Sequence, residues 1–139
     1  MSLDFGGINY WAVLVAAVVS FLVGGLWYGV LFAKPWVELQ RFDEQELKQM
    51  ERNQPRNFGI FFVGDLVMAT ILALLIGAVG AGSALGGAGL AILLWLGIAA
   101  TLGASKHAAT NKKLAVFAIN TSHELVSLLV MGLILGAWR

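Results

Sequence analysis

Long apolar stretches alternate with short charged ones along this chain. From Phe5 to Ala33 no residue is charged, and none is charged between Asp65 and Lys106. After Lys113 a single acid, Glu124, interrupts an apolar run that reaches Trp138. A membrane crossing takes about 20 apolar residues, so the first and last stretches each supply one helix. The middle stretch is too long for one crossing. Its glycine-rich part, Gly77 to Gly89, marks a turn, because clustered glycine punctuates helices. The pattern predicts an all-α, polytopic membrane protein: a four-transmembrane-helix bundle forming a single membrane domain over 1–139. The spans fall at 9–33, 58–79, 87–105 and 114–138. Tyr10 and Trp11 mark one end of the first span, with Trp27, Tyr28 and Trp36 toward the other, as interfacial aromatics do. Lys34-Pro35 is expected to close it.

Composition agrees with lipid as the solvent. Of 139 residues, 59% are hydrophobic and 12% charged, against about 25% charged in soluble domains. Mean hydropathy is +0.82. Cysteine is absent, which excludes a disulfide framework, a thiolate metal site and a cysteine nucleophile. The net charge of +1 gives no reason to expect nucleic acid as a partner. The start, Met-Ser-Leu-Asp, lacks the basic region of a cleaved signal, and the apolar run behind it is too long for one.

Charge is sorted by side. The connection 34–57 holds Lys34, Arg41, Lys48, Arg52 and Arg56, and the connection 106–113 holds Lys106, Lys112 and Lys113. Only Arg139 falls on the other side. The positive-inside rule then places both connections in the cytoplasm and both termini outside it. Within 34–57, Asp43 and Glu46 have capping-box spacing, and Glu44 with Lys48 is a helical i,i+4 pair. A short surface helix is expected over 43–53, with either a solvated face or a partner-binding one.

The second and fourth spans align without a gap from their acids. Asp65-Leu-Val-Met-Ala-Thr-Ile-Leu-Ala-Leu-Leu-Ile-Gly-Ala faces Glu124-Leu-Val-Ser-Leu-Leu-Val-Met-Gly-Leu-Ile-Leu-Gly-Ala. In the spans before them, Trp27-Tyr-Gly faces Trp95-Leu-Gly. Two parallel-repeat helical hairpins would give this match, and so would chance between apolar helices. Either way the two acids sit at similar depth.

An ionised carboxylate within a bilayer costs at least ~2.5 kcal/mol and rarely faces lipid. Asp65 and Glu124 should therefore face the bundle interior or a wet cavity. On the fourth span Asn120, His123, Glu124 and Ser127 follow i, i+3, i+4, i+7 and occupy one helical face, with Met131 continuing it. Three uses compete for this polar face. One is interhelical adhesion, at about 0.6–2 kcal/mol per contact. The second is a proton or cation pathway built from Asp65, Asn120, His123, Glu124 and Ser127, with the Tyr28 hydroxyl in reach of Asp65. The third is a catalytic or ligand site, for which no nucleophile–base pair, metal motif or phosphate loop is visible, so an enzyme is not expected. His107, His123 and Glu124 do not have metal spacing, and neither metal nor cofactor is expected. Thr101 and Ser105 are expected to bond to their own helix carbonyls. Gly25 with Gly29, Gly132 with Gly136, and Gly97 with Thr101 are small-xxx-small pairs for close helix packing, within the chain or between copies. Four helices enclose little space, so a solute path would call for a homo-oligomer.

Asn9-Tyr-Trp-Ala-Val, Gly25-Leu-Trp-Tyr-Gly29 with Phe32 and Lys34-Pro-Trp36, and Ile119-Asn-Thr-Ser-His123-Glu-Leu-Val-Ser through Ala137-Trp-Arg139 resemble the small bacterial membrane proteins of domain of unknown function 1761. The resemblance spans nearly the whole chain. It implies a compact four-helix protein of the bacterial inner membrane and implies no activity. The expectation for function is a transport or channel-like protein with a proton or cation site from the second and fourth spans. The alternative is a non-catalytic accessory or scaffold subunit of a larger membrane complex.

Overall fold

In the computed structural model, which describes residues 2–139, each helix boundary has a local cause. Asn9 opens the first span: its side-chain oxygen accepts from the N–H groups of Trp11 (3.1 Å) and Ala12 (3.3 Å). Those donors have no partner inside the helix. Helix α1 (Tyr10–Leu26) then widens into a π-helical turn, Trp27–Leu31, where the Phe32 N–H bonds back to the Trp27 carbonyl at 2.8 Å. Helix α2 (Ala33–Gln40) follows, and Asp43 caps α3 (Glu44–Arg52) by accepting from the Glu46 N–H at 2.7 Å. Helix α4 (Gln54–Val79) carries Pro55 in its first turn, where a missing N–H is harmless.

Gly80, at φ 74°, ends α4. The left-handed residue lets the Ala81 N–H return to the Ile76 carbonyl at 2.9 Å, a Schellman ending that suits glycine. Ser83 caps α5 (Ala84–Leu94) through the Gly86 N–H at 2.9 Å. A second π-helical turn, Trp95–Ala100, joins α5 to α6 (Thr101–Ala108), and α7 (Leu114–Ala137) completes the order. No strand occurs among the described residues.

Four helical stretches are long and apolar enough to cross a membrane: Tyr10–Leu31, Gln54–Val79, Ala84–Ala108 and Leu114–Ala137. The chain is a multi-pass membrane protein built as an all-α bundle. Several boundaries differ from the sequence-based expectation, among them the end of the third span, at Ala108 rather than 105. The second span begins at Gln54 rather than 58, because Pro55 starts a helix instead of breaking one. The third begins at Ala84 rather than 87, because the Ser83 cap outweighs the low helix propensity of Gly86 and Gly87. The first span ends at Leu31, just before Lys34-Pro35, and after the break at Phe32 Pro35 falls in the first turn of a new helix, α2.

Helix α7 lies at the centre, packed on α5, α1 and α4. Its contact with α5 is backbone on backbone. A Cβ on Gly87 would overlap the Gly132 carbonyl, and one on Gly136 would overlap the Ser83 carbonyl. Only glycine permits that approach. A second core joins Ala12, Val13 and Ala16 of α1 to Ala69, Leu72 and Ile76 of α4, closed by Met131 and Leu135 of α7. Both regions lie away from the Lys- and Arg-rich connections. The half of the bundle nearest the basic connections is where polar groups collect. Gly25, Gly29 and Gly97 pack no helix within this chain: a Cβ at each would meet open space.

Candidate functional site

The polar residues of the spans form three groups, and the second and third share Tyr28 and Asn120. The first joins α1 to α4. Ser20, 2% exposed, donates to Asp65 Oδ1 at 3.0 Å. Asp65 thus has a partner on a neighbouring helix.

The second group centres on Asn120 of α7. Its Oδ1 accepts from the Tyr28 hydroxyl at 2.6 Å and from the Trp36 indole N–H at 3.1 Å. This one side chain ties the π-helical turn of the first span and the start of α2 to α7. Tyr28 therefore reaches Asn120, not Asp65. One turn further along α7, His123 packs edge-on to the Tyr28 ring (centroids 5.0 Å apart) and lies 3.2 Å from Ser127 Oγ. Gly24 lies against it: a Cβ there would stand 3.4 Å from His123 Nε2.

The third group is a cavity of about 420 Å³ at the basic end. Tyr28, Asn120, Glu124, Lys106, His107 and Lys112 are among the residues that line it, with Gln40, Gly103, Phe117 and Thr121. Two contacts border it. Gly103 faces Phe117, which lies 3.2 Å from where a Cβ would be. Lys112 donates to the Gln40 carbonyl at 2.6 Å, pinning the α6–α7 connection to the last residue of α2. His107 lies against the Phe117 ring, centroids 5.5 Å apart.

Glu124 differs from every other polar side chain here. Its Oε2 is buried and has no hydrogen-bond partner. A buried, unpaired polar atom costs free energy and calls for an explanation. Helical side chains lean toward their own N-terminus. Glu124 therefore leans toward the basic end, and Lys106, on a helix running the other way, leans inward toward it.

Asp65 and Glu124 do stand at similar depth, each about 15 Å along the axis from its helix start at 1.5 Å per residue. They are nonetheless engaged differently: Asp65 bonds Ser20, and only Glu124 lines the cavity. Among the described residues no three His, Asp or Glu side chains come together in a way that could hold a metal ion. Thr101 and Ser105 bond the carbonyls of Gly97, Ile98 and Thr101 on their own helix.

Sequence reasoning missed two features. Ser20 is the only serine or threonine in the first span, and a lone hydroxyl in an apolar helix was a readable signal. The aligned Trp27 and Trp95 are the second. Each opens a π-helical turn, and their indoles donate to α7 carbonyls two residues apart, Ile119 (3.1 Å) and Thr121 (2.9 Å). Such turns often sit at functional sites.

Comparison with known proteins gives one match. The family model described as "Protein of unknown function (DUF1761)" matches residues 11–136. No curated protein and no solved structure matches.

Proposed function

The chain belongs to the DUF1761 family, proteins of unknown function, and we propose that it is a small transport protein that binds a proton or cation at Glu124. The observation that carries this is Glu124 itself: the residue lines an open cavity, and its Oε2 is buried without a hydrogen-bond partner. A proton or cation arriving through the cavity neutralises that carboxylate. Asp65 has no such need, because Ser20 already bonds it. Beyond Glu124 the bundle is closed by the Gly87–Gly132–Gly136 crossing and by Leu72, Ile76 and Met131. That favours a carrier open to one side over a continuous pore.

The open side is the cytoplasmic one in this proposal, since eight of the nine Lys and Arg residues lie there. The membrane is then the bacterial inner membrane, with both termini on its outer side. Reconstituted protein is expected to move protons or monovalent cations across liposomes, and Glu124→Gln to remove most of that flux. Equal flux in the variant, or none in the parent across a range of cations, contradicts the proposal.

A scaffold role has its own support. Asn120 and Asp65 each have a partner on a neighbouring helix, as interhelical adhesion requires. A subunit of that kind co-purifies with a larger membrane complex and carries no flux.

A further inference from the structure

Resting on the cavity as the working site, we infer that it takes a small zwitterion: a primary ammonium bonded at Glu124, with its phosphate or carboxylate held by Lys106. The observations narrow the ligand in steps. A volume of about 420 Å³ lies in the range of small-molecule sites and far exceeds a bare ion. A naked metal ion wants several carboxylate or imidazole ligands at once, and no group of three such side chains forms among the described residues.

Charge narrows it further. The cavity lining carries an acid, Glu124, and two ammonium groups, Lys106 and Lys112. Lys112 is partly occupied by the Gln40 carbonyl, which leaves Lys106 as the group best placed to meet an anion. A simple anion would answer only Lys106, and a simple cation only Glu124. A molecule with both charges is complementary to both walls.

The hydrogen bond left unmade chooses the cationic end. Glu124 lines the cavity and no donor of the bundle reaches its Oε2, so a ligand that brings an N–H to this carboxylate supplies what the helices do not. A primary ammonium has three; a trimethylammonium has none. The same chemistry occurs in a free phosphoethanolamine or amino acid and in a phosphatidylethanolamine headgroup, and the cavity's position at the basic end is open to either source.

The test uses full-length protein, stripped of lipid in detergent for soluble probes and placed in nanodiscs for lipids. Phosphoethanolamine and phosphocholine are titrated by calorimetry; phosphatidylethanolamine and phosphatidylcholine retention is read by native mass spectrometry. The ethanolamine compound of at least one pair is expected to bind about 10-fold tighter, the scale of one hydrogen bond to a charged group. Glu124→Gln should abolish that preference. Lys106 is exposed, so Lys106→Ala should leave the fold intact and weaken both members of the pair alike. Asp65→Asn should change neither. Preference in the soluble pair alone assigns a free solute, and preference in the lipid pair alone assigns a headgroup. No ethanolamine preference in either pair, or a preference that survives Glu124→Gln, overturns the inference. Glu124-dependent proton flux without zwitterion binding sinks this inference and leaves the proposed function standing; zwitterion binding without flux does the reverse.

Discussion

The Tyr28 hydroxyl donates a 2.6 Å hydrogen bond to Asn120 Oδ1, joining the π-helical turn of the first span to the centre of α7. Trp36 shares the same acceptor. Tyr28→Phe removes one of the two bonds and leaves no polar atom stranded. The expected loss is about 0.6–1.7 kcal/mol, the range for interhelical bonds in membranes. Asn120→Leu strands both the Tyr28 hydroxyl and the Trp36 N–H, and is expected to cost more, about 2–3 kcal/mol. Unfolding by SDS in mixed micelles measures both. Equal losses would mean that Asn120 is not the shared acceptor.

The glycine pairs separate by location. Gly132→Val drives a side chain into the Gly87 carbonyl and is expected to cost about 3 kcal/mol or more, enough to open the α5–α7 contact. Gly25→Ala and Gly29→Ala meet open space and should change monomer stability by less than about 0.5 kcal/mol. The same micelle unfolding series checks all three. If the two first-span variants instead lower the protein's mass in solution, those glycines join copies of the chain.

Orientation is testable because the chain has no cysteine. A single cysteine at Thr110, in the basic connection, and one at Gly82, in the opposite turn, should label from opposite sides of intact cells. A membrane-impermeant maleimide is expected to reach Gly82→Cys from outside and Thr110→Cys only after lysis. The reverse pattern would overturn the cytoplasmic placement of the basic connections.

The four spans were legible because lipid imposes a crude rule: about 20 apolar residues and no charge. The polar face Asn120–His123–Glu124–Ser127 was legible too, because helical period fixes which residues share a side. Partners were not. Nothing in the spacing says that Tyr28 turns to Asn120 rather than Asp65, since that depends on how far the Trp27–Leu31 turn rotates the chain. Equal depth suggested that Asp65 and Glu124 act together, but depth fixes position along a helix and not the direction it faces. Gly25 and Gly132 belong to identical GxxxG patterns, and only the packing distinguishes the one facing open space from the one against α5.

Trp27 and Trp95 offer a check on the two π-helical turns. Each indole bonds an α7 carbonyl that already serves the helix. Trp27→Phe and Trp95→Phe keep one aromatic ring but lose the N–H and part of the indole, so each should cost about 1 kcal/mol of stability or more. The double variant should lose roughly the sum, and thermal unfolding followed by circular dichroism reads all three. No loss in either single variant would mean that the indole bonds do not help hold α7.

The account turns on the two acids having different jobs: Asp65 holds α1 to α4 through Ser20, and Glu124 faces the cavity alone. The most direct measurement compares Asp65→Asn with Glu124→Gln in one proteoliposome experiment, reading proton or cation flux per folded molecule. Flux kept in Asp65→Asn and lost in Glu124→Gln is the predicted result; equal loss in both, or flux that survives Glu124→Gln, would contradict it.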